Sequence, residues 1–436
     1  MPGASGERIA AAAGEQPPGQ TAALLRVSGL LTAKRITLHA ALLAVCLWSV
    51  YAINLATPGL RDRAGHIKGA DFLHFYTAGR LLQQGREREL YNPPALAADQ
   101  LALMPQSRGD YFVASYGPQV YLPFTLLARL SYGWAALTWA LINCCIYFGC
   151  CYAIWRVCPE LALKVGPFLL LAVGYPGFFN LIAFGQTSGP ALLLFTLAFL
   201  ALRRRHQLLA GIWLGSLIYK PQLGLAAAVI FLLAAEWKVI LGAIAGAAAQ
   251  ILFAWAWFGS AVMGLYFHAL LRTQAALPFI EPKLYEMHSL RGFWLLLTPW
   301  RNFATALYIV SALAVLLTAL MCWRSRAPLS LRYSALLLAS VLVAPHLMAY
   351  DLVILAPAFV LLAQWCLEHP GAPARPALQI LLYLCYALPL LEPLAKLSHI
   401  QLSVIGFVAL QGLLWRTTKQ VQTGTGHGLP PTFARP

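Results

Sequence analysis

The sequence predicts an all-α protein that crosses a membrane many times. Of its 436 residues, 60% are hydrophobic and only 11% are charged, whereas a soluble domain carries roughly 25% charged residues. Apolar runs long enough to cross a bilayer also recur along nearly the whole chain. Both observations favour a polytopic α-helical membrane protein.

The positive charges indicate the same class. The formal net charge is +16, which in a soluble protein would suggest nucleic-acid binding. Most Lys and Arg residues instead fall in short segments between apolar runs, as in "RRRH" at 203–206, and cytoplasmic loops of membrane proteins are enriched in these residues. Because no nucleic-acid-binding motif is visible, we predict membrane lipids as partners and no nucleic acid.

The order of apolar runs and positive segments predicts the topology. Lys34 and Arg35 precede the first run, which places the N-terminus in the cytoplasm. About 12 spans then put every Arg-rich short connection inside the cell. Segments 1–33 and 417–436 are predicted to be disordered cytoplasmic tails, and 34–416 a single membrane domain. The spans are expected at about 36–56, 133–155, 165–184, 190–202, 208–219, 221–235, 239–259, 302–323, 333–345, 349–366, 377–394 and 400–416.

Two long outer segments are expected, at 57–132 and 260–301. The first contains "GADFLHFYTAGRLLQQGREREL" from Gly69, which predicts a helix lying on the membrane surface and ending near Gly85. Asp71 would stand at the helix N-terminus, where the dipole favours the ionised carboxylate. The stretch Gly117 to Leu130 is too short to span comfortably at ~1.5 Å per residue and is predicted to be a re-entrant or interfacial helix.

The nine cysteines do not indicate a metal site. The pairs Cys144-Cys145 and Cys150-Cys151 have no His or acidic residue nearby, and membrane spans tolerate Cys as a small hydrophobe. Elsewhere, no cage of several carboxylates is visible. We therefore predict no metal and no cofactor.

Most of the unusual polar residues fall beside Gly or Pro breaks on the predicted outer face. Each alone has an ordinary interpretation: Asp71 as a solvated loop acid, Lys220 as a snorkelling side chain, and His346 as a partner for backbone groups freed by Pro345. Their convergence from separate segments predicts one site, because ionisable groups near membrane depth are costly and tend to be functional. The candidate site residues are Asp71, Tyr76, Arg80, Gln186, Lys220, His288, Arg291, His346, Tyr350 and Asp351.

Five stretches around these residues carry a family resemblance. They are "DFLHFYTAGRLLQQGRERELYNP", "YGPQVYLPFTLLARLSYGWAALTWALIN", "GQTSGPALLL", "LLAGIWLGSLIYKPQLGL" and "PHLMAYDLVILAPAF". In this order and spacing they resemble glycosyltransferase family 87, whose members are polytopic enzymes of the C-type glycosyltransferase superfold (GT-C). The resemblance covers about 36–416, and within the second long outer segment it holds only over "SLRGF".

The resemblance implies a reaction. Such enzymes pass a sugar, usually mannose, from a polyprenyl-phosphate carrier to a hydroxyl acceptor on a lipid or glycan, at the outer face of the bacterial cytoplasmic membrane. An acidic residue of the first outer segment is the base, and by motif and position it is Asp71 here. The Lys-Pro and Pro-His turns of the family match 220–221 and 345–346. From their chemistry, the expected donor-phosphate ligands are Lys220, Arg291 and His346, and the remaining candidates are expected to bind substrate.

Two other functions fit the sequence. A transporter or flippase of a lipid-linked sugar would also have many spans and broken helices, although the polar groups crowd one face and no internal repeat is clear. A non-catalytic scaffold that retains the fold is the second alternative. It predicts that the substitution Asp71→Asn has no effect.

Overall fold

The computed structural model describes residues 18–423, except 64, 66, 108–113, 273–280 and 282. Of the described residues, 82% are helical, and among them the structure has no strand, only two isolated β-bridges. Helices satisfy their backbone hydrogen bonds internally, which is what an apolar chain requires where water is absent. The all-helical polytopic class predicted from the sequence is therefore confirmed.

The helices follow one another with short connections. Several ends have recognisable caps: Thr32 accepts a hydrogen bond from Arg35 N, and Ser289 accepts one from Gly292 N. In chain order the described α-helices are α1 (Pro18–Leu30), α2 (Ala33–Ala56), α3 (Ala70–Gln83), α4 (Pro93–Leu103), α5 (Leu122–Leu127), α6 (Tyr132–Trp155), α7 (Pro159–Ala162), α8 (Val165–Val173), α9 (Pro176–Phe184), α10 (Ser188–Arg203), α11 (Gln207–Gly215), α12 (Pro221–Leu233), α13 (Trp237–Leu271), α14 (Leu290–Leu297), α15 (Arg301–Arg324), α16 (Leu329–Val343), α17 (Ala356–Glu368), α18 (Arg375–Ala387), α19 (Glu392–Ser398) and α20 (Leu402–Thr423).

Six helical segments among the described residues are long and apolar enough to cross a membrane, and the bent pair α8–α9, with its 43° bend, would make a seventh. Each of the predicted spans coincides with a helix or a broken helix. Large apolar side chains such as Leu252, Trp257 and Val310 are exposed on these helices, as lipid-facing side chains are. The six segments are Ala33–Ala56, Tyr132–Trp155, Trp237–Leu271, Arg301–Arg324, Ala349–Glu368 and Arg375–Ser398.

Close packing of small residues joins α11 to α13. A Cβ atom on Gly215 would lie 1.9 Å from the Ala243 carbonyl oxygen, and one on Gly242 would lie 2.1 Å from the Leu208 carbonyl oxygen. Both helices therefore approach through a Gly-x-x-x-Gly stretch, "GIWLG" at 211–215 and "GAIAG" at 242–246. This arrangement suits membrane helices, which associate through backbone contact and van der Waals packing.

Helix α13 is longer than the span predicted at 239–259. It continues to Leu271, with a kink at Gly259, whose φ is 74°. Beyond the kink the helix contacts the 3₁₀ turns Glu87–Tyr91 and Pro118–Tyr121, and the rings of Tyr91 and Tyr266 lie 5.7 Å apart. The start of the second long segment expected from the sequence is thus helical.

Helix α3 differs from the surface helix that the sequence predicts. It ends as expected before Gly85, which adopts a φ of 70°. Residues 72–79, however, are all buried, because α4, α5, α6 and α9 pack around the helix. A Cβ on Gly79 would lie 2.4 Å from the Phe124 carbonyl oxygen of α5. Among the residues of α3 whose exposure the structure describes, Asp71, Arg80, Leu82 and Gln83 are partly or fully exposed.

The two ends of the chain also differ from expectation. Helix α1 lies within segment 1–33, predicted to be disordered, because its apolar residues allow it to pack against α18. Helix α20 continues past 416 to Thr423, where the Lys419 ammonium lies 4.3 Å from the centroid of the Trp415 ring. Residues 1–17 and 424–436 of the predicted tails lie outside the described residues.

Candidate functional site

Asp71 and Gln186 form the centre of the candidate site. The Gln186 Nε2 atom donates a hydrogen bond of 2.8 Å to Asp71 Oδ2. Asp71 is in the first turn of α3 and Gln186 follows the end of α9. The structure therefore brings together two of the residues that the sequence places in one site, from segments more than a hundred residues apart.

Local backbone geometry places these two side chains. Gly69 and Gly185 both adopt left-handed conformations, with φ of 65° and 68°, which glycine enters without steric cost. The Tyr132 hydroxyl donates to the carbonyl of Gly69 at 3.0 Å and so fixes the turn before Asp71. A Cβ on Gly185 would lie 2.6 Å from the Phe72 Cβ, so the two turns touch directly.

The environment of Asp71 raises the pKa of its carboxyl from 3.8 to about 6. Burial is the main cause, because it disfavours the charged form. The hydrogen bond from Gln186 and the charges of Lys220 and His346 lower this pKa, and the Glu286 charge raises it. The sequence predicted that the helix dipole would hold Asp71 ionised; burial outweighs that effect. A carboxyl with a pKa near 6 is still mostly ionised at neutral pH and suits a general base.

Lys220 lies in a buried ion pair with Asp351. The Lys220 Nζ atom is 2.5 Å from Asp351 Oδ1 and donates to Ser188 Oγ at 2.8 Å, while Ser188 Oγ donates to Asp351 Oδ1 at 2.6 Å. The Tyr350 ring centroid is 5.0 Å from the same ammonium. Lys220 is 1% exposed and Asp351 is 0% exposed. A donor phosphate would have to compete for Lys220 with the Asp351 carboxylate, which already contacts it.

A second charged cluster joins the segment before α14 to the break after α16. Glu281 accepts hydrogen bonds from Arg291 Nη1, at 2.7 and 2.8 Å, and lies 3.0 Å from His346 Nδ1. Arg291 Nη1 also donates to the Pro345 carbonyl at 3.0 Å. Burial would raise the pKa of Glu281, but the hydrogen bonds from His346 and Arg291 lower it below its ordinary value. Arg291 and His346 thus share a carboxylate partner, and the charge of His346 reaches Asp71.

Three predicted site residues lie outside this arrangement. The Tyr76 hydroxyl donates to the Leu130 carbonyl at 2.8 Å, within the packing between α3 and α5. His288 is fully buried, with Nδ1 2.7 Å from Ser403 Oγ. Arg80 lines a separate cavity of about 250 Å³ at the far end of α3. The structure does not bring these three side chains to Asp71.

Three residues of this arrangement are absent from the predicted site. Ser188 joins Lys220 to Asp351, Glu281 joins Arg291 to His346, and the Glu286 charge acts on Asp71. Ser188 lies within "GQTSGP", two residues after Gln186, so its neighbourhood was visible in the sequence. Of the two partners of Glu281, Arg291 lies ten residues further along the chain and His346 lies 65 residues away, and no local pattern indicates that they share this carboxylate.

The comparison with protein families gives one match. The family model described as glycosyltransferase family 87 matches residues 112–349. That range includes Gln186, Lys220, Arg291 and His346, whereas Asp71 precedes it. No curated protein and no solved structure matches the chain.

Proposed function

The chain belongs to glycosyltransferase family 87, and we propose from that premise that it transfers mannose from a polyprenyl-phosphate carrier to a hydroxyl group of a lipid or glycan. The proposed fold is GT-C-like, with 12 spans and both chain ends in the cytoplasm. In that topology Asp71, Gln186, Lys220 and His346 lie at the outer face of a bacterial cytoplasmic membrane. The asymmetric distribution of Arg-rich connections supports this orientation.

The observation that carries the proposal is the environment of Asp71. Its carboxylate is partly exposed, and it is fixed by the Gln186 amide at 2.8 Å. With a pKa of about 6, the carboxyl is mostly ionised at neutral pH and is a stronger base than an ordinary aspartate. The other described carboxylates of this arrangement, Asp351, Glu281 and Glu286, are each paired with a cationic side chain.

The reaction that this geometry supports is a single displacement. Asp71 takes the proton of the acceptor hydroxyl as the oxygen attacks the anomeric carbon of the sugar. The bond from that carbon to the phosphate oxygen breaks, and the polyprenyl phosphate leaves with the electron pair. The anomeric configuration is inverted. We assign His346 and the adjacent Arg291 to the phosphate, where positive charge stabilises the leaving group. Gln186, which hydrogen-bonds Asp71, and Tyr350 are proposed to contact the sugar.

The proposal is tested with purified protein in lipid nanodiscs. The protein is incubated with polyprenyl-phosphate mannose and a membrane-lipid extract, and products are identified by mass spectrometry. A mannosylated product is expected from the wild type, and Asp71→Asn should lower its rate by ~10²–10⁴-fold, the usual contribution of a general base. The control Glu160→Gln removes an exposed carboxylate of α7 and should leave the rate unchanged.

Two outcomes would contradict the proposal. Wild-type-like transfer by Asp71→Asn would remove Asp71 as the base and leave the scaffold alternative open. Movement of the lipid-linked sugar across proteoliposomes without a new glycosidic product would favour the flippase. Both measurements use the same protein preparation.

A further inference from the structure

The short turn 185–188 connects Asp71 to the buried ion pair. At one end, Gln186 bonds Asp71. At the other end, Ser188 bonds both Lys220 and Asp351. Between them, the Thr187 carbonyl accepts a hydrogen bond of 2.8 Å from the Tyr219 hydroxyl. The turn is therefore held from the α11–α12 break and from the segment that follows α16.

The amide of Gln186 has little freedom within this turn. Its Oε1 atom accepts a hydrogen bond of 3.1 Å from Thr187 N, and its backbone carbonyl accepts one of 3.3 Å from Asn143 Nδ2. The Trp139 ring nitrogen donates to the Gly185 carbonyl at 2.9 Å. Because Oε1 is occupied, the orientation in which Nε2 faces Asp71 is determined by the turn.

The ion pair itself is enclosed. Lys220, Asp351 and Ser188 are each at most 1% exposed, and Asp351 Oδ2 accepts a further hydrogen bond of 3.2 Å from Met348 N. Removal of one partner from a buried ion pair strongly destabilises a protein, but replacement of both partners by neutral side chains of similar size is often tolerated. A comparison of single and double substitutions of the pair can therefore distinguish a structural role from a role in ligand binding.

We propose that the Lys220–Asp351 pair positions Gln186 against Asp71 through Ser188, and that Lys220 does not bind the donor phosphate. Lys220 and Asp351 are then positioning residues, and the phosphate role expected for Lys220 from the sequence is replaced by this one. The inference rests on the proposed function in that Asp71 is the base. The inference goes beyond the proposed function because it assigns the Lys220–Asp351 pair no contact with the substrate.

The first test compares the wild type with Lys220→Met, Asp351→Asn and the double variant. Each single variant leaves a buried group without its partner, so we expect a lower melting temperature and a loss of transfer of ~10²-fold or more. The double variant should regain the wild-type melting temperature and at least about a tenth of the transfer rate, with the donor KM changed by less than about threefold. A double variant that melts like the wild type but remains as inactive as Lys220→Met would overturn the proposal, as would a tenfold rise in its donor KM.

The second test uses Ser188→Ala, which keeps the ion pair and removes its link to the turn. Because the Gln186 hydrogen bond lowers the pKa of Asp71, loosening that bond should move the acid limb of the kcat profile to higher pH. The matched control is Ser340→Ala, another buried serine, whose hydroxyl has no hydrogen-bond partner among the described residues. A stable Ser188→Ala protein with an unmoved acid limb would contradict the positioning role.

The two proposals fail in different ways. If the wild type forms no product from the polyprenyl-phosphate donor, the proposed function fails. The melting temperatures of the single and double variants still report whether the pair is exchangeable. If the wild type is active and the double variant melts like the wild type but stays as inactive as Lys220→Met, the function stands and the positioning role fails.

Discussion

Asp71 should reduce the stability of the protein at neutral pH, and the substitution Asp71→Asn should relieve this. The pKa of the carboxyl rises from 3.8 to about 6 on folding, so the folded state resists ionisation of this group. At ~1.4 kcal/mol for each pH unit, the rise corresponds to at most ~3 kcal/mol. Because the side chain is partly exposed, we expect about 1–2 kcal/mol. Asparagine keeps an oxygen that can accept the Gln186 hydrogen bond.

The gain should depend on pH in a defined direction. Below pH 3.8 the carboxyl is protonated in both states and its penalty is absent; above pH 6 the penalty is complete. Asp71→Asn should therefore raise the melting temperature on the order of 2–4 °C at pH 7.5 and leave it unchanged near pH 3.5. Thermal unfolding in one detergent at the two pH values measures this, with Glu160→Gln as the control. An equal shift at both pH values, or a loss of stability at pH 7.5, would refute the reasoning.

Two further predictions concern packing and charge. Gly79→Ala should lower the free energy of unfolding by about 1–3 kcal/mol, since the new methyl group would collide with the backbone of α5. The control Gly133→Ala places its methyl group in open space and should not lower it. Equal melting temperatures for the two variants would contradict the close packing of α3. Glu281→Gln should lower the melting temperature at pH 7, where the ionised carboxylate stabilises the fold, and the difference should shrink as the pH falls through the lowered pKa of Glu281. A difference that grows in acid would reverse the expected sign.

The sequence indicates the helices and their breaks well because these depend on local composition. The interruptions at Lys220 and Pro345 and the end of α3 at Gly85 are all found where they are predicted. Hydrophobicity and Gly or Pro positions determine these features directly. The same local reasoning fails for α3 as a surface helix, because its charged residues, Asp71 and Arg80, lie towards its two ends while the middle, with the polar residues His74 and Thr77, is buried.

The pairing of charges is less predictable. Lys220 and Asp351 are far apart in the chain, and only the folded structure shows that each neutralises the other. In a sequence, a lysine that binds phosphate looks the same as a lysine whose charge is neutralised by a carboxylate. The pKa of Asp71 is a similar case. The dipole of α3 can be inferred from the local sequence, whereas the burial that raises this pKa arises only when the chain folds.

The kinked helix α13 should tolerate insertions and deletions poorly. Its 35 residues would measure ~52 Å if the helix were straight, against ~30 Å for the hydrocarbon core of a bilayer. The part beyond the kink at Gly259 instead meets the first polar segment at Tyr91. One residue inserted before the kink would turn Tyr266 by ~100° about the helix axis and withdraw it from that contact. An insertion in a stretch that looks like featureless apolar span would therefore disturb a polar segment far away in the chain.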